Sequence, residues 1–329
     1  MGKAKRGTDK AQPQAQARSQ NPAPVKVKFW GVRGSIPTPG PSTVKYGGNT
    51  SCVEVRADGE IIILDGGTGL RPLGRQLVTE FDHQPLNLTL LLTHTHWDHI
   101  QGLPFFMPLY EPKNRLRILG YEGARHGLEN VLTSQMETPF FPIGFRQVPA
   151  NVEIQELPDM KFDVGRVHVK ACLANHPGIC VGYRLETSAG SIAFFPDNEP
   201  HYGHSHAPPV FGAGETTMVE LARNEDQKML EFVRGCDVLI MDSQYEREEY
   251  NSHRGWGHAC LDDVVAFALE AKVKQLFLFH HDPEHDDARI GSMVAHAREV
   301  VRTKHGTLKV EAAREGETIE PGSPRGDGA

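Results

Sequence analysis

Residues Thr93–Gly102 read T-H-T-H-W-D-H-I-Q-G, directly after the apolar run Leu86–Leu92. Four side chains able to bind a divalent cation, His94, His96, Asp98 and His99, therefore stand at the end of a short buried strand. Imidazole and carboxylate donors of this kind suit zinc and also manganese or iron. In extended chain alternate residues share a face, so His94 and His96 project together. A turn into helix at Trp97 then swings Asp98 and His99 around a second point nearby. The cluster predicts two metal positions, which in two-metal sites lie about 3.5–4 Å apart.

The rest of the chain reads as strands mixed with helices in two comparable halves. In the first half, Val25–Trp30 alternates apolar and polar residues, and Thr50–Val55 and Glu60–Leu64 form a hairpin around the turn dipeptide Asp58-Gly59. Leu116–Leu119 is a further short strand. In the second half, Lys161–Val169, Gly178–Leu185 and Ser191–Phe195 read as strands, Thr217–Gly235 as a helix and Val238–Met241 as a strand ending at Asp242. Leu261–Ala271 reads as a helix and Gln275–Phe279 as a strand ending at His280-His281. This order predicts an α/β fold, an αββα sandwich over residues 25–312 with two similar halves. Residues 1–24, rich in Lys, Arg, Gln, Ala and Pro, and residues 313–329, rich in Gly, Pro and charge, are expected to be disordered tails.

Composition narrows the function classes. The net charge of −7 over 329 residues gives no general bias toward nucleic acid. No apolar run approaches the eighteen or so residues of a membrane span, so no membrane partner is expected. Five scattered cysteines without a CxxC pair predict a reducing, cytoplasmic setting with no disulfide framework.

The spacing His-x-His-x-Asp-His resembles the signature of the metallo-β-lactamase superfamily, and the chain looks like its phosphodiesterase branch, which includes ribonuclease Z and the cyclic-nucleotide phosphodiesterases. The similarity spans most of Val25–Ala312. The resemblance implies a dinuclear hydrolase with two divalent ions, zinc or manganese. Asn175-His176-Pro177 resembles the segment giving a third histidine, Phe194-Phe195-Pro196-Asp197 the strand running into a bridging aspartate, and Phe277-Leu278-Phe279-His280 the strand ending in the last histidine. The family pattern assigns one metal to His94, His96 and His176 and the other to Asp98, His99 and His280, with Asp197 between them. Strand alternation favours His280 over its neighbour His281, since adjacent residues face opposite ways. Asp65, in Asp65-Gly66-Gly67-Thr68-Gly69, corresponds to an aspartate that orients a histidine ligand from behind; turn chemistry alone accounts for it equally well. His258, in Gly257-His258-Ala259, matches a histidine acting as acid on the scissile phosphate, and it is counted with Asp98 as catalytic. Relatives usually carry Ser or Thr just after that histidine, where this chain has Ala259 and Cys260.

Three functions compete. The segment Phe29–Pro37 (FWGVRGSIP) and the Phe-His-His-Asp-Pro ending look like relatives of cyclic-nucleotide hydrolases, so a 3′,5′-cyclic nucleotide is the favoured small-molecule substrate. A ribonuclease Z-like RNA 3′-end nuclease is the alternative. RNA is disfavoured as a partner because residues 201–217 hold no Lys or Arg, where that enzyme carries a long basic arm. A non-catalytic metal scaffold comes third. Trp97, Phe105, Phe106, Tyr245 and Trp256 are candidates for stacking on a base, His201, His204 and His206 for a loop over the site, and Lys45–Ser51 for a structural glycine-rich segment. The branch further implies a homodimer.

Overall fold

The structure is a computed structural model describing residues 24–121, 127–157, 159–201 and 213–322, with the backbone alone for 213–219. Fourteen strands are seen among the described residues: β1 Lys26–Gly31, β2 Cys52–Ala57, β3 Glu60–Leu64, β4 Asn87–Leu91, β5 Arg115–Gly120, β6 Asn151–Glu156, β7 Lys161–Val164, β8 Val167–Leu173, β9 Val181–Thr187, β10 Gly190–Phe195, β11 Val238–Asp242, β12 Gln275–Phe279, β13 Lys309–Ala312 and β14 Thr318–Ile319. The helices are α1 Leu70–Glu80, α2 Trp97–Ile100, α3 Leu128–Ser134, α4 Ala213–Val233, α5 Arg247–Ser252, α6 Leu261–Glu270 and α7 Asp287–Thr303.

The strands form two seven-stranded sheets, ordered β14-β1-β2-β3-β4-β5-β6 and β13-β12-β11-β10-β9-β8-β7. Each is antiparallel on one side and parallel on the other: β3 to β6 run parallel in the first, β10 to β13 in the second. The sequence pattern explains the layering. In β1, Val27 and Phe29 are buried while Lys26 is exposed, as one-sided burial requires. Inward residues of both sheets meet in one core, where Phe29 lies 5.1 Å from Phe277, ring to ring, and Phe194 lies 5.5 Å from Phe279. A second core packs α6 and α7 on the outer face of one sheet, and a third packs α1 and α3 on the other. The fold is the αββα sandwich expected from the sequence.

Three local readings are corrected. Lys161–Val169 is a hairpin, β7 and β8, turning at Gly165 with φ +57°. The amphipathic helix α7, which buries Ile290, Met293, Val294, Ala297 and Val301, stands in a stretch for which no element was expected. The C-terminal tail begins later than residue 313. Thr318–Ile319 pairs antiparallel with β1, Ile319 and Ala313 are buried, and Glu315 accepts hydrogen bonds from Asn49. Charged and glycine residues there hide two apolar anchors, Ala313 beside β12 and Ile319, whose strand closes the β1 edge. Residues 1–23 and 323–329 lie outside the described residues, as do His204 and His206.

The parallel strands place the site. β3, β4, β10, β11 and β12 all deliver their C-terminal ends to one rim, and each of these ends leads into Asp65, His94, Asp197, Asp242 or His280. Clefts outside the carboxyl ends of parallel strands are where α/β folds collect polar groups, because the chain must leave the sheet there.

Candidate metal centre

Two groups of donors face one another. His94, His96, His176 and Asp197 bring one ligand atom each within 4.8 Å of one another, and so do Asp98, His99 and His280. Asp197 lies between them. Its Oδ1 is 3.1 Å from His99 Nε2 and 3.3 Å from His280 Nε2, while its Oδ2 is 3.6 Å from His176 Nε2 and 3.8 Å from His94 Nε2. Asp98 Oδ2 sits 3.2 Å from Nε2 of both His99 and His280. His176 Nε2 and His96 Nδ1 are 3.0 Å apart.

These residues fit cations. His94 Nε2, His99 Nε2 and Asp197 Oδ1 are buried without a hydrogen-bond partner, a costly state for polar atoms unless an ion completes it. His99 shows the demand for a cation most clearly. Its Nδ1 donates to Asp65 Oδ2 at 2.7 Å, so Nε2 carries a lone pair, and that lone pair looks at a carboxylate oxygen 3.1 Å away. Two acceptors in that relation call for a positive charge between them. Burial holds His94 well below the ordinary imidazole range, helped by neighbouring His99, and burial lowers His96 and His176 in the same direction. Neutral imidazoles are the form that binds metal. At His99 burial pulls down too, but Asp98, Asp197 and Asp65 outweigh it and raise the group well above that range: without a cation a proton on Nε2 supplies the positive charge these carboxylates call for, and a bound cation would displace it.

Three of the rings, His99, His176 and His280, are held from behind. Asp65, with φ +61°, also accepts from Thr93 N (2.8 Å) and Ser51 Oγ (2.9 Å). His176 Nδ1 donates to Gly257 O at 2.9 Å, and His280 Nδ1 donates to Gln244 Oε1 at 2.9 Å, with Gln244 Nε2 donating on to Asp282. Such partners fix tautomer and orientation. Ser35, at φ +60°, donates its backbone N–H to Asp98 Oδ2 at 2.8 Å. Gly34 lets that loop approach His280: a Cβ there would stand 2.3 Å from His280 Nδ1. His281 turns away, its Nε2 donating to Ala313 O at 3.0 Å, and burial pushes it down to about 3.

His258 stacks on His280 with ring centroids 4.8 Å apart, and its Nδ1 donates to Asp242 Oδ2 at 2.8 Å. Burial alone would lower this imidazole. The carboxylate of Asp242, reinforced by Asp197 and Asp98, prevails and raises it to about 9. Nδ1 is thus occupied and Nε2 is the ring nitrogen left with a proton to give.

Asp242, Gln244, Ser35 and Glu199 carry no role in the sequence reading. Asp242 had a usable signal, since it ends an apolar strand in a carboxylate just as Asp65 and Asp197 do. Among the aromatic candidates, Trp97, Phe105 and Trp256 are exposed, whereas Phe106 and Tyr245 are buried and belong to packing. His201 is exposed, and its backbone N–H donates to Asp226.

Known proteins agree with this architecture. A family model described as "Beta-lactamase superfamily domain" matches residues 62–281. A ribonuclease Z of Picrophilus torridus is 25% identical over 292 residues, covering 80% of this chain and 88% of that protein. The metallo-β-lactamase fold protein YhfI from Bacillus subtilis superposes with a TM-score of 0.61 at 16% identity, covering 91% of this chain and all of that one. Unliganded yeast PDE1 superposes with a TM-score of 0.62 at 13% identity, covering 90% and 99%. The chain belongs to the β-lactamase superfamily and carries the metallo-β-lactamase fold.

Proposed function

We propose that the chain is a metal-dependent phosphodiester hydrolase. The observation that carries this reading is the pairing of a seven-donor metal centre with a histidine, His258, held on a buried carboxylate beside it. His94, His96 and His176 would hold one divalent cation, Asp98, His99 and His280 the other, and Asp197 would touch both. When bound, such cations supply Lewis acidity toward water and toward the phosphoryl oxygens.

The chain's own groups do the rest. Asp65, Gly257 O and Gln244 hold His99, His176 and His280 in the tautomer that turns Nε2 inward. Asp242 keeps His258 protonated at neutral pH and aims its Nε2 proton at the departing oxygen. With the proton supplied there, an alkoxide leaves as an alcohol. The exposed faces of Trp97 and Trp256 are available to a substrate base.

For the substrate, relatives named ribonuclease Z favour an RNA-type diester near a 3′ end. A second reading, a 3′,5′-cyclic nucleotide, is favoured by the lack of any Lys or Arg in residues 201–217. Zinc is favoured over manganese by the imidazole-rich donor set. A homodimer remains part of this reading, to be tested by light scattering. The deciding experiment gives zinc-loaded protein bis(p-nitrophenyl) phosphate, a precursor tRNA with a 3′ trailer, a panel of 3′,5′-cyclic nucleotides and the monoester p-nitrophenyl phosphate. Cleavage of diesters but not the monoester, lost in His96→Ala, is expected. Trimming of the trailer selects the RNA reading, and conversion of a cyclic nucleotide to its monophosphate selects the second. No turnover of any diester would refute the proposal.

A further inference from the structure

Glu199 is a buried carboxylate two residues after Asp197, and its four hydrogen bonds go to one short stretch of chain. Its Oε1 accepts from Tyr250 Oη at 2.9 Å and from Gly255 N at 3.0 Å, while Oε2 accepts from Gly255 N and Gly257 N, both at 2.9 Å. The backbone of the same residue is tied to the segment before His176. Glu199 N donates to Asn175 O at 2.8 Å, and Asn175 Nδ2 donates back to Glu199 O at 2.8 Å. The circuit closes through the site itself, because Gly257 O accepts from His176 Nδ1.

One residue, through its backbone and its side chain, therefore ties together three stretches that are far apart in sequence, those carrying His176, Asp197 and His258. The turn it holds could not hold itself. Gly255 and Gly257 sit at φ +82° and +90°, a region glycine visits freely and without preference. Gly257 also packs so tightly that a Cβ would come within 2.3 Å of both His176 Nδ1 and Pro177 Cδ. A glycine pair of this kind is floppy unless its amides are pinned, and the Glu199 carboxylate supplies acceptors for both.

We propose that Glu199 is a positioning residue of the centre. By pinning the Gly255–Gly257 turn it sets the carbonyl that orients His176 and the backbone that presents His258. The proposal rests on the metal-dependent hydrolase reading for its catalytic consequence, and on the geometry alone for its effect on His176.

The test uses the full chain as Glu199→Gln, which keeps the volume and one acceptor oxygen but turns an amide N–H₂ toward a glycine N–H. Val301→Ala, in the core of α7, serves as a control with a comparable loss of thermal stability. Co²⁺ alone is the probe, read by its visible spectrum and by chelator competition. Amide hydrogen exchange at Gly255 and Gly257 is followed in metal-free protein. Expected for Glu199→Gln are exchange at least tenfold faster at both glycines, an altered cobalt spectrum and cobalt affinity lowered about 10–100-fold at one of the two positions, the range typical of lost outer partners. On bis(p-nitrophenyl) phosphate the loss falls on kcat with KM nearly unchanged, and Val301→Ala alters neither spectrum nor affinity. Faster exchange with a wild-type cobalt spectrum and affinity overturns the proposal, and so does an equal change in Val301→Ala. If Glu199→Gln does not fold, Tyr250→Phe removes one donor and should shift the cobalt spectrum in the same direction but less; no shift overturns the proposal. Wild-type protein that binds two cobalt ions but cleaves no diester refutes the hydrolase reading while leaving the cobalt result to judge Glu199.

Discussion

Replacing Asp65 by Asn is the most informative single perturbation of the centre. The carboxylate accepts from Thr93 N, Thr93 Oγ1, Ser51 Oγ and His99 Nδ1, all in a fully buried setting. An Asn has one acceptor oxygen and one donor nitrogen. With its oxygen kept on the Thr93 amide, its N–H₂ faces the His99 Nδ1–H at 2.7 Å, donor against donor. The cheapest relief is for the imidazole to move its proton to Nε2, which removes the lone pair that faces Asp197 and Asp98. Loss of an outer partner typically lowers metal affinity about 10–100-fold, or about 1.4–2.8 kcal/mol. The weakened bond network adds about 1–3 kcal/mol of destabilisation. Chelator competition followed by metal analysis should therefore find one of two zinc ions bound more weakly, with the far-UV circular dichroism retained. Two ions bound with wild-type affinity in Asp65→Asn would show that the tautomer argument is wrong.

Other expectations follow from the same geometry. Asp242→Asn removes the charge that outweighs burial at His258, so its pKa falls from about 9; an acid works only below its pKa, and the alkaline limb of kcat/KM should move to lower pH, with kcat down about 100-fold or more. An unmoved limb in a pH–rate profile would remove His258 from the role of acid. Gly34→Ala puts a methyl against His280 Nδ1, and it should cost about 1–3 kcal/mol in a melting experiment and weaken metal binding at the Asp98–His99–His280 position. Ile319→Ala should destabilise the fold by about 2–5 kcal/mol in denaturant unfolding, because Ile319 is 2% exposed in the shared core; an unchanged midpoint would return residues 313–322 to the status of a tail. Chelation should lower the melting temperature while the two sheets persist, since their cores contain none of the metal donors.

What the sequence determined by itself is what depends on neighbours along the chain. The hairpin at Asp58-Gly59 was legible because its turn needs two consecutive left-handed residues, and φ +56° and +96° are found there. His94, His96, Asp98 and His99 were legible because strand and helix periodicity bring them to one rim within six residues. The αββα order followed from the succession of elements. The helix α7 also has a local signal, the spacing Ile290, Met293, Val294, Ala297 that lines one face. Only the tertiary structure decided which groups meet across the rim. Asp242 finds His258 sixteen residues on, Ser35 finds Asp98 across 63 residues, and Glu199 finds Gly257 across 58. No local spacing encodes such pairings, because each joins segments that leave different elements and meet only once those elements have packed side by side. The packing likewise turned His280 inward and His281 onto Ala313, and drew a two-residue strand out of a tail that composition alone reads as disordered. Backbone periodicity is a property of adjacent dihedrals, whereas the fate of a buried polar group is set by whichever partner the packed core brings within about 3 Å.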